Sequence, residues 1–195
     1  MNPARKLPDK FEEPLSILLY KIIAPFSDII KDTFTPNQIT IFNIILRIYI
    51  IYLFKNGIYN NIPILLMFSC FLDYLDGYIA RKYNMVSRMG DYLDHIGDNV
   101  FMIILIYMMY RKLKKKYKIW FVGALIIFVA CMIMNVGCQQ KCCSSHKSDT
   151  IDIFIGACYD MNIINYTKHG GFVLFYLFLA FVCWKHYIFF DDELK

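Results

Sequence analysis

Five aspartates, Asp73, Asp76, Asp91, Asp94 and Asp98, stand in the segment FLDYLDGYIARKYNMVSRMGDYLDHIGDN, residues 71–99, among mostly apolar side chains. Asp73 and Asp76 are three residues apart, Asp94 and Asp98 four. On an α-helix either spacing puts both carboxylates on one face. The stretch Arg81–Met89 holds the turn between two predicted helices. Asp76 and Asp94 flank it by about six and five residues, which places both roughly 8–9 Å from the turn at 1.5 Å per residue. The hairpin therefore gathers four carboxylates in one pocket near one end of the helix pair. Four acids so close repel one another, and divalent cations relieve that repulsion. An all-oxygen donor set favours Mg²⁺ or Mn²⁺ over zinc. Gly77 and Ala80 remove bulk beside Asp76, and the Arg81 guanidinium can fork onto phosphate. Metals, open backbone and a phosphate-binding arginine describe a diphosphate site. Two other readings stay open: an internal ion-pair network with Arg81, Lys82 and Arg88, and a divalent-cation transport path, since intramembrane acids also mark ion pathways.

The elements that position these acids belong to a membrane. Of 195 residues 58% are hydrophobic, with a mean hydropathy of +0.43. Ordinary soluble domains are nearer 45–50% apolar. The excess falls in blocks at about 38–54, 62–80, 91–110, 119–138, 151–166 and 170–190, each near the ~20 residues a span requires. Residues 11–31 mix apolar positions with Glu12, Glu13, Lys21 and Asp28 and are interrupted by Pro25. That pattern predicts an amphipathic helix lying in the interface. Pro36 disfavours helix at Thr35 and opens a new one. The expected fold is all-α: a polytopic integral membrane protein of about six transmembrane helices behind an N-terminal interfacial helix. It forms a single domain over 1–195, with the interfacial helix at 11–31 and the bundle at 38–190.

A charged side chain at membrane depth costs at least ~2.5–3.5 kcal/mol, so the aspartates must face a cavity or a partner. The net charge of +5 comes from cations clustered between the apolar blocks. They fit loops against anionic head groups rather than a nucleic acid. With the N-terminus inside, that side carries twelve lysines and arginines against eight outside, although RKLKKKYK (111–118) falls among the latter. The bias puts the active site on the cytoplasmic side. The seven cysteines show no paired CxxC with histidines, which predicts reduced thiols. The first 15 residues lack the apolar core of a cleavable signal peptide.

The residues Asp73-x2-Asp76-Gly77-x2-Ala80-Arg81-x8-Gly90-x3-Asp94-x3-Asp98 match, without a gap, the signature of the CDP-alcohol phosphotransferases, also called CDP-alcohol phosphatidyltransferases. The chain resembles that family over about 11–190, including the short helix ahead of six spans. The resemblance implies that Asp73, Asp76 and Asp94 hold two metal ions, Mg²⁺ or Mn²⁺. It further implies that Asp98 contributes to the metals and acts as general base, and that Gly77, Ala80 and Arg81 line the nucleotide and diphosphate site. Thr35-Pro36-Asn37-x-x-Thr40 resembles the family's N-terminal element, in which Asn37 contacts the diphosphate. Homodimers are common in the family, though no dimer motif stands in this sequence.

The acceptor is read from fewer residues. DYLDGYIARK in a short chain resembles the enzymes that take CDP-diacylglycerol and pass its phosphatidyl group to a small alcohol. Ser145-His146-Lys147 is similar to the Ser-His-Lys of eukaryotic phosphatidylinositol synthases, which places inositol first and glycerol 3-phosphate second. An ordinary solvated loop explains the same three residues. Asp94-His95-x-x-Asp98 instead resembles choline and ethanolamine phosphotransferases, an alternative in which CDP-choline or CDP-ethanolamine is the donor; His95 fits equally a hydrogen-bonded interior histidine. Lys141, His146 and Lys147 would suit an anionic acceptor if they fold over the pocket. Arg47 either reaches a phosphate or head group or snorkels to the interface.

Overall fold

The turn expected before Pro36 is built by a reciprocal cap. Thr35 Oγ1 accepts from the Gln38 backbone N–H, and Gln38 Oε1 accepts from the Thr35 N–H at 2.9 Å. With Pro36 in the first turn, this starts α2 (Pro36–Lys55) where the apolar run begins. The computed structural model describes residues 12–142, 152–158, 160, 162 and 171–191. Ahead of α2 lies α1 (Pro14–Ile30); after it come α3 (Ile62–Lys82), α4 (Arg88–Lys112), α5 (Lys115–Cys142), a 3-10 helix (Asp152–Ala157), α6 (Phe172–Trp184) and α7 (His186–Phe189). No strand occurs among the described residues, and one isolated bridge pairs Leu113 with Phe190. The protein is all-α, and α2, α3, α4 and α5 are long and apolar enough to cross a membrane.

These four helices coincide with the first four predicted spans. The last two differ. The apolar stretch 170–190 divides into α6 and α7, and α6 with 13 residues reaches only about 20 Å of a hydrocarbon core of about 30 Å. In place of a span at 151–166, the described residues form the six-residue 3-10 helix Asp152–Ala157. It sits against the end of α5 and is tied there by a Cys138–Cys158 disulfide, which corrects the expectation of reduced thiols. A pair 20 residues apart, joined only because the chain doubles back, leaves no local motif. Cys70, Cys131 and Cys183 are free.

The core lies between α2, α3, α4 and α6, where Ile50, Phe54, Leu66, Leu105, Met109 and Leu179 are buried. Outward-facing Ile64, Ile119 and Trp120 are each at least 75% exposed, as a lipid-facing surface requires. The Lys114 N–H donates to the Phe189 carbonyl, so α6 and α7 run toward the turn between α4 and α5, away from the aspartates. Lys185 therefore belongs to that end of the bundle, with Lys114 Nζ bonded to the Tyr187 carbonyl at 3.3 Å.

Pro25, expected to interrupt its segment, sits within α1 on the exposed side, and the helix runs through it. Ser16, Tyr20, Ile23 and Ser27 form the buried stripe of α1. Tyr20 packs on Tyr74 and Tyr78 of α3 at 5.5 and 5.8 Å between ring centroids. Leu18, Ile22, Phe26 and Ile29 make an exposed apolar stripe on the opposite side. Just ahead of α1, the Glu13 side chain caps α6. Its carboxylate accepts from the Val173 and Leu174 N–H groups at 3.4 and 3.2 Å, where Gly171 has no side chain to do so. Burial pushes this carboxyl from 4.5 up to about 7 against the opposing effect of the two N–H bonds, with Glu12 adding to the rise. A raised acid favours its neutral form in the fold, so its contribution is fully present below pH 4.5 and is lost as pH rises through about 7. The melting temperature in lipid nanodiscs should fall by several degrees between pH 5 and pH 8, and Glu13→Gln should flatten that slope. A wild-type profile as flat as the variant's would contradict the assignment.

Candidate active site

Four helices contribute polar groups to one region. From α2 come Asn37, Thr40, Asn43 and Arg47, which recur every three or four residues and so share one stripe. From α3 come Ser69, Asp73, Asp76, Gly77, Ala80 and Arg81. Helix α4 opens on Ser87, whose Oγ accepts from the Gly90 N–H at 3.0 Å, and this cap fixes where Asp91, Asp94, His95 and Asp98 emerge. Helix α6 supplies Tyr176.

The upper part of the site is a cleft. Asn37, Thr40, Asp76, Gly77, Ala80 and Arg81 line it from α2 and α3, and Ser87, Gly90, Asp91, Asp94 and His95 from α4. All four residues that the signature gave to the nucleotide and diphosphate, Asn37, Gly77, Ala80 and Arg81, are thus brought together. Ser87 Oγ donates to Asn37 Oδ1 at 3.3 Å and ties the start of α4 to the start of α2. The helices approach so closely here that a Cβ on Gly90 would stand 2.5 Å from Asn37 Oδ1 and 2.9 Å from Ser87 Oγ. The Arg81 guanidinium folds back over Gly77 and reaches Tyr20 Oη at 3.5 Å.

Deeper in the bundle, Asp73, Asp94 and Asp98 each offer a carboxylate oxygen, and the three lie within 4.8 Å of one another. Asp94 belongs to both parts of the site. Asp76 is not in that trio; it is buried at the cleft wall and accepts from Thr40 Oγ1 at 2.7 Å. Three hard oxygen donors at this spacing form a group that could hold a divalent ion such as Mg²⁺ or Mn²⁺.

Arg47 is placed differently from both sequence-based readings. It reaches neither the interface nor the cleft mouth but is 2% exposed, ion-paired with Asp73 at 3.0 Å and with Asp98. The positive charge set among the acids thus comes from α2, while Lys82 pairs with Asp28 of α1 at 2.9 Å. Its sequence signal was position: a lone arginine in an apolar helix, on the stripe that carries Asn37 and Thr40. Thr40 stands in the sequence element around Asn37, whereas Ser87 was not singled out. His95 lines the cleft with Nδ1 at 2.8 Å from the Asp91 carbonyl and 3.3 Å from its carboxylate. Lys141 does not line the cleft; its Nζ donates to the Cys158 carbonyl at 3.0 Å. His146 and Lys147, with Ser145, lie outside the described residues.

The bundle of apolar helices thus opens a cleft at one end, lined by the carboxylates of Asp76, Asp91 and Asp94 and by Arg81. The chain belongs to the CDP-alcohol phosphatidyltransferase family, whose model matches residues 33–188. It is similar to a CDP-diacylglycerol–glycerol-3-phosphate 3-phosphatidyltransferase of Aquifex aeolicus (strain VF5), 38% identical over 66 residues, 34% of this chain and 37% of that protein. Proteins of the same name from Rickettsia bellii (strain RML369-C) and Rickettsia typhi (strain ATCC VR-144 / Wilmington) are 38% identical over 84 residues and 36% over 80. The matches cover 40% of this chain in each case, and 44% and 45% of the relatives. The matched segment spans less than half the length of each. No solved structure matches the chain. These names do not support the placing of inositol ahead of glycerol 3-phosphate.

Proposed function

We propose that the protein transfers the phosphatidyl group of CDP-diacylglycerol to glycerol 3-phosphate and releases cytidine monophosphate. The observation that carries this reading is the joining, through Asp94, of a cleft lined by Asn37, Gly77, Ala80 and Arg81 to the Asp73–Asp94–Asp98 trio. The acceptor is taken from the three relatives, each named for glycerol 3-phosphate. Family membership speaks against a cation-transport role for the acids.

In this reading the Asp73–Asp94–Asp98 trio, with Asp76 at the cleft wall beside it, would hold the divalent ions, Mg²⁺ or Mn²⁺. When bound, those ions offset the negative charge that grows on the departing nucleotide. Arg81 and Asn37 orient the donor diphosphate from the cleft wall. Asp98 takes the proton of the acceptor hydroxyl as its oxygen bonds to the phosphatidyl phosphorus, while the bond from that phosphorus to the cytidine monophosphate oxygen breaks. The cleft end of the bundle faces the cytoplasm, and α1 rests in the interface beside it, its Leu18, Ile22, Phe26 and Ile29 stripe toward lipid.

Donor choice has a direct test. In nanodiscs with Mn²⁺, CDP-diacylglycerol should raise the melting temperature and CDP-choline should not; the reverse would overturn the donor assignment. The close approach at Gly90 gives a second expected result. Gly90→Ala forces the Asn37 and Ser87 side chains out of their present positions, and overpacking of this kind costs up to about 1–3 kcal/mol. Turnover should fall by roughly 10²-fold, as expected for displacement of a reacting group by about 1 Å. Gly123, with nothing within 4 Å of an added Cβ, provides the control, and Gly123→Ala should leave both stability and turnover unchanged. Equal turnover in the two variants would remove the Asn37–α4 contact from the site.

A further inference from the structure

We infer that Arg47 is a positioning residue: it fixes the orientation of Asp98, and of Asp73 with it, so that the Asp98 carboxylate points at the acceptor hydroxyl. The inference rests on the proposed transfer reaction for its function, but its geometry stands on its own. A buried guanidinium must have every donor engaged, because an unpaired charge in the interior is strongly unfavourable. Arg47 engages groups from three other helices, by hydrogen bonds from its Nε and Nη2 and by an ion pair from its Nη1. Its Nε donates to Ser69 Oγ at 3.1 Å, and its Nη2 to Asp73 Oδ1 at 3.0 Å and to Tyr176 Oη at 3.4 Å. Its Nη1 pairs with Asp98 Oδ1. Ser69 Oγ in turn donates to Asn43 Oδ1 at 2.7 Å, and the Phe101 ring lies 5.6 Å from the Arg47 Cζ.

The arrangement is directional as well as neutralising. A planar fork held by a serine at one edge and a tyrosine at another has one orientation, and it presents its two Nη groups to aspartates on different helices. Asp98 is one helical turn past Asp94 on α4, and the ion pair with Arg47 ties its carboxylate to α2. Each aspartate keeps a second carboxylate oxygen for another partner. A lysine at position 47 would restore the charge but has one nitrogen, and it cannot hold Ser69, Asp73, Asp98 and Tyr176 together.

The test compares Arg47→Met, Arg47→Lys, Asp98→Asn and the Arg47→Met/Asp98→Asn double variant in nanodiscs, by melting and by turnover. Arg47→Met leaves two partly buried acids without their cation and should melt several degrees below wild type. Adding Asp98→Asn should recover at least about half of that loss, since it removes one of the two stranded charges. Arg47→Lys should recover most of the melting temperature. Its turnover should nonetheless stay ~10²-fold or more below wild type, with the KM of both substrates within about threefold. Additive melting shifts would show that Arg47 does not hold Asp98. Full turnover in Arg47→Lys would reduce Arg47 to a counter-charge and overturn the positioning role. If Arg47→Met does not fold, the Lys variant still decides between these outcomes. A wild type that releases no cytidine monophosphate would sink the proposed reaction, while the melting coupling alone would still decide whether Arg47 holds Asp98.

Discussion

Asp98→Asn lowers turnover by about 10²–10⁴-fold, the usual contribution of a positioned base, and weakens donor binding only modestly. The acceptor hydroxyl is a poor nucleophile while it keeps its proton. Asparagine retains the size and one oxygen of the aspartate but cannot accept that proton. It also keeps a weaker bond to Arg47, so the α4 backbone is not forced to move. Asp76→Asn should behave differently. Asp76 sits at the cleft wall, bonded by Thr40, where a lost charge affects the ions and the donor diphosphate together. Donor affinity and turnover should then both fall. Measuring the two quantities for the two variants separates base from ligand. Normal turnover in Asp98→Asn would leave His95 as the base to be tested, since it lines the same cleft.

Removal of divalent ions has the largest expected effect. With excess EDTA no turnover should remain, and Mg²⁺ or Mn²⁺ should restore it. Asp73, Asp94 and Asp98 stand within 4.8 Å of one another, and Arg47 balances only part of their charge. Two dications also match the charge of a diphosphate that the protein's own arginines cannot fully meet. Asp73→Ala, Asp76→Ala and Asp94→Ala should each abolish turnover. Asp94→Ala should be the most severe, because Asp94 alone belongs to both the trio and the cleft. Metal added to these variants should not restore activity at concentrations that saturate wild type. Full activity in EDTA would remove the ions from the reaction.

The bounds of α2 and α3 could be read from the chain because their signals are local. Pro36 marks the start of α2, and an apolar run of about 20 residues identifies itself, whereas the Ser87 cap that starts α4 at Arg88, ahead of the expected residue 91, was not read. The pairing of Asp73 with Asp76 and of Asp94 with Asp98 on common faces is likewise a matter of period. What could not be read was what opposes each face. Arg47 meets Tyr176 across 129 residues, and Glu13 caps α6 across 160, and no spacing rule connects such positions. An arginine in an apolar helix is compatible with snorkelling until the acids are seen beside it. Within 151–166, the described residues 152–157 form a 3-10 helix that could not be read for a related reason. The apolar content of the stretch fits a short buried element as well as a span, and the Cys138–Cys158 link that holds the 3-10 helix to α5 is a tertiary fact.

The most direct test of the account is the identity of the lipid product. Purified protein with Mg²⁺ and CDP-diacylglycerol would be offered glycerol 3-phosphate, myo-inositol, serine, choline and ethanolamine in parallel, with cytidine monophosphate and lipids followed by mass spectrometry. Glycerol 3-phosphate should give stoichiometric cytidine monophosphate and phosphatidylglycerophosphate, and the other four alcohols no phospholipid. Phosphatidylinositol as the main product would contradict the acceptor, and no release of cytidine monophosphate with any of the five would contradict the reaction itself.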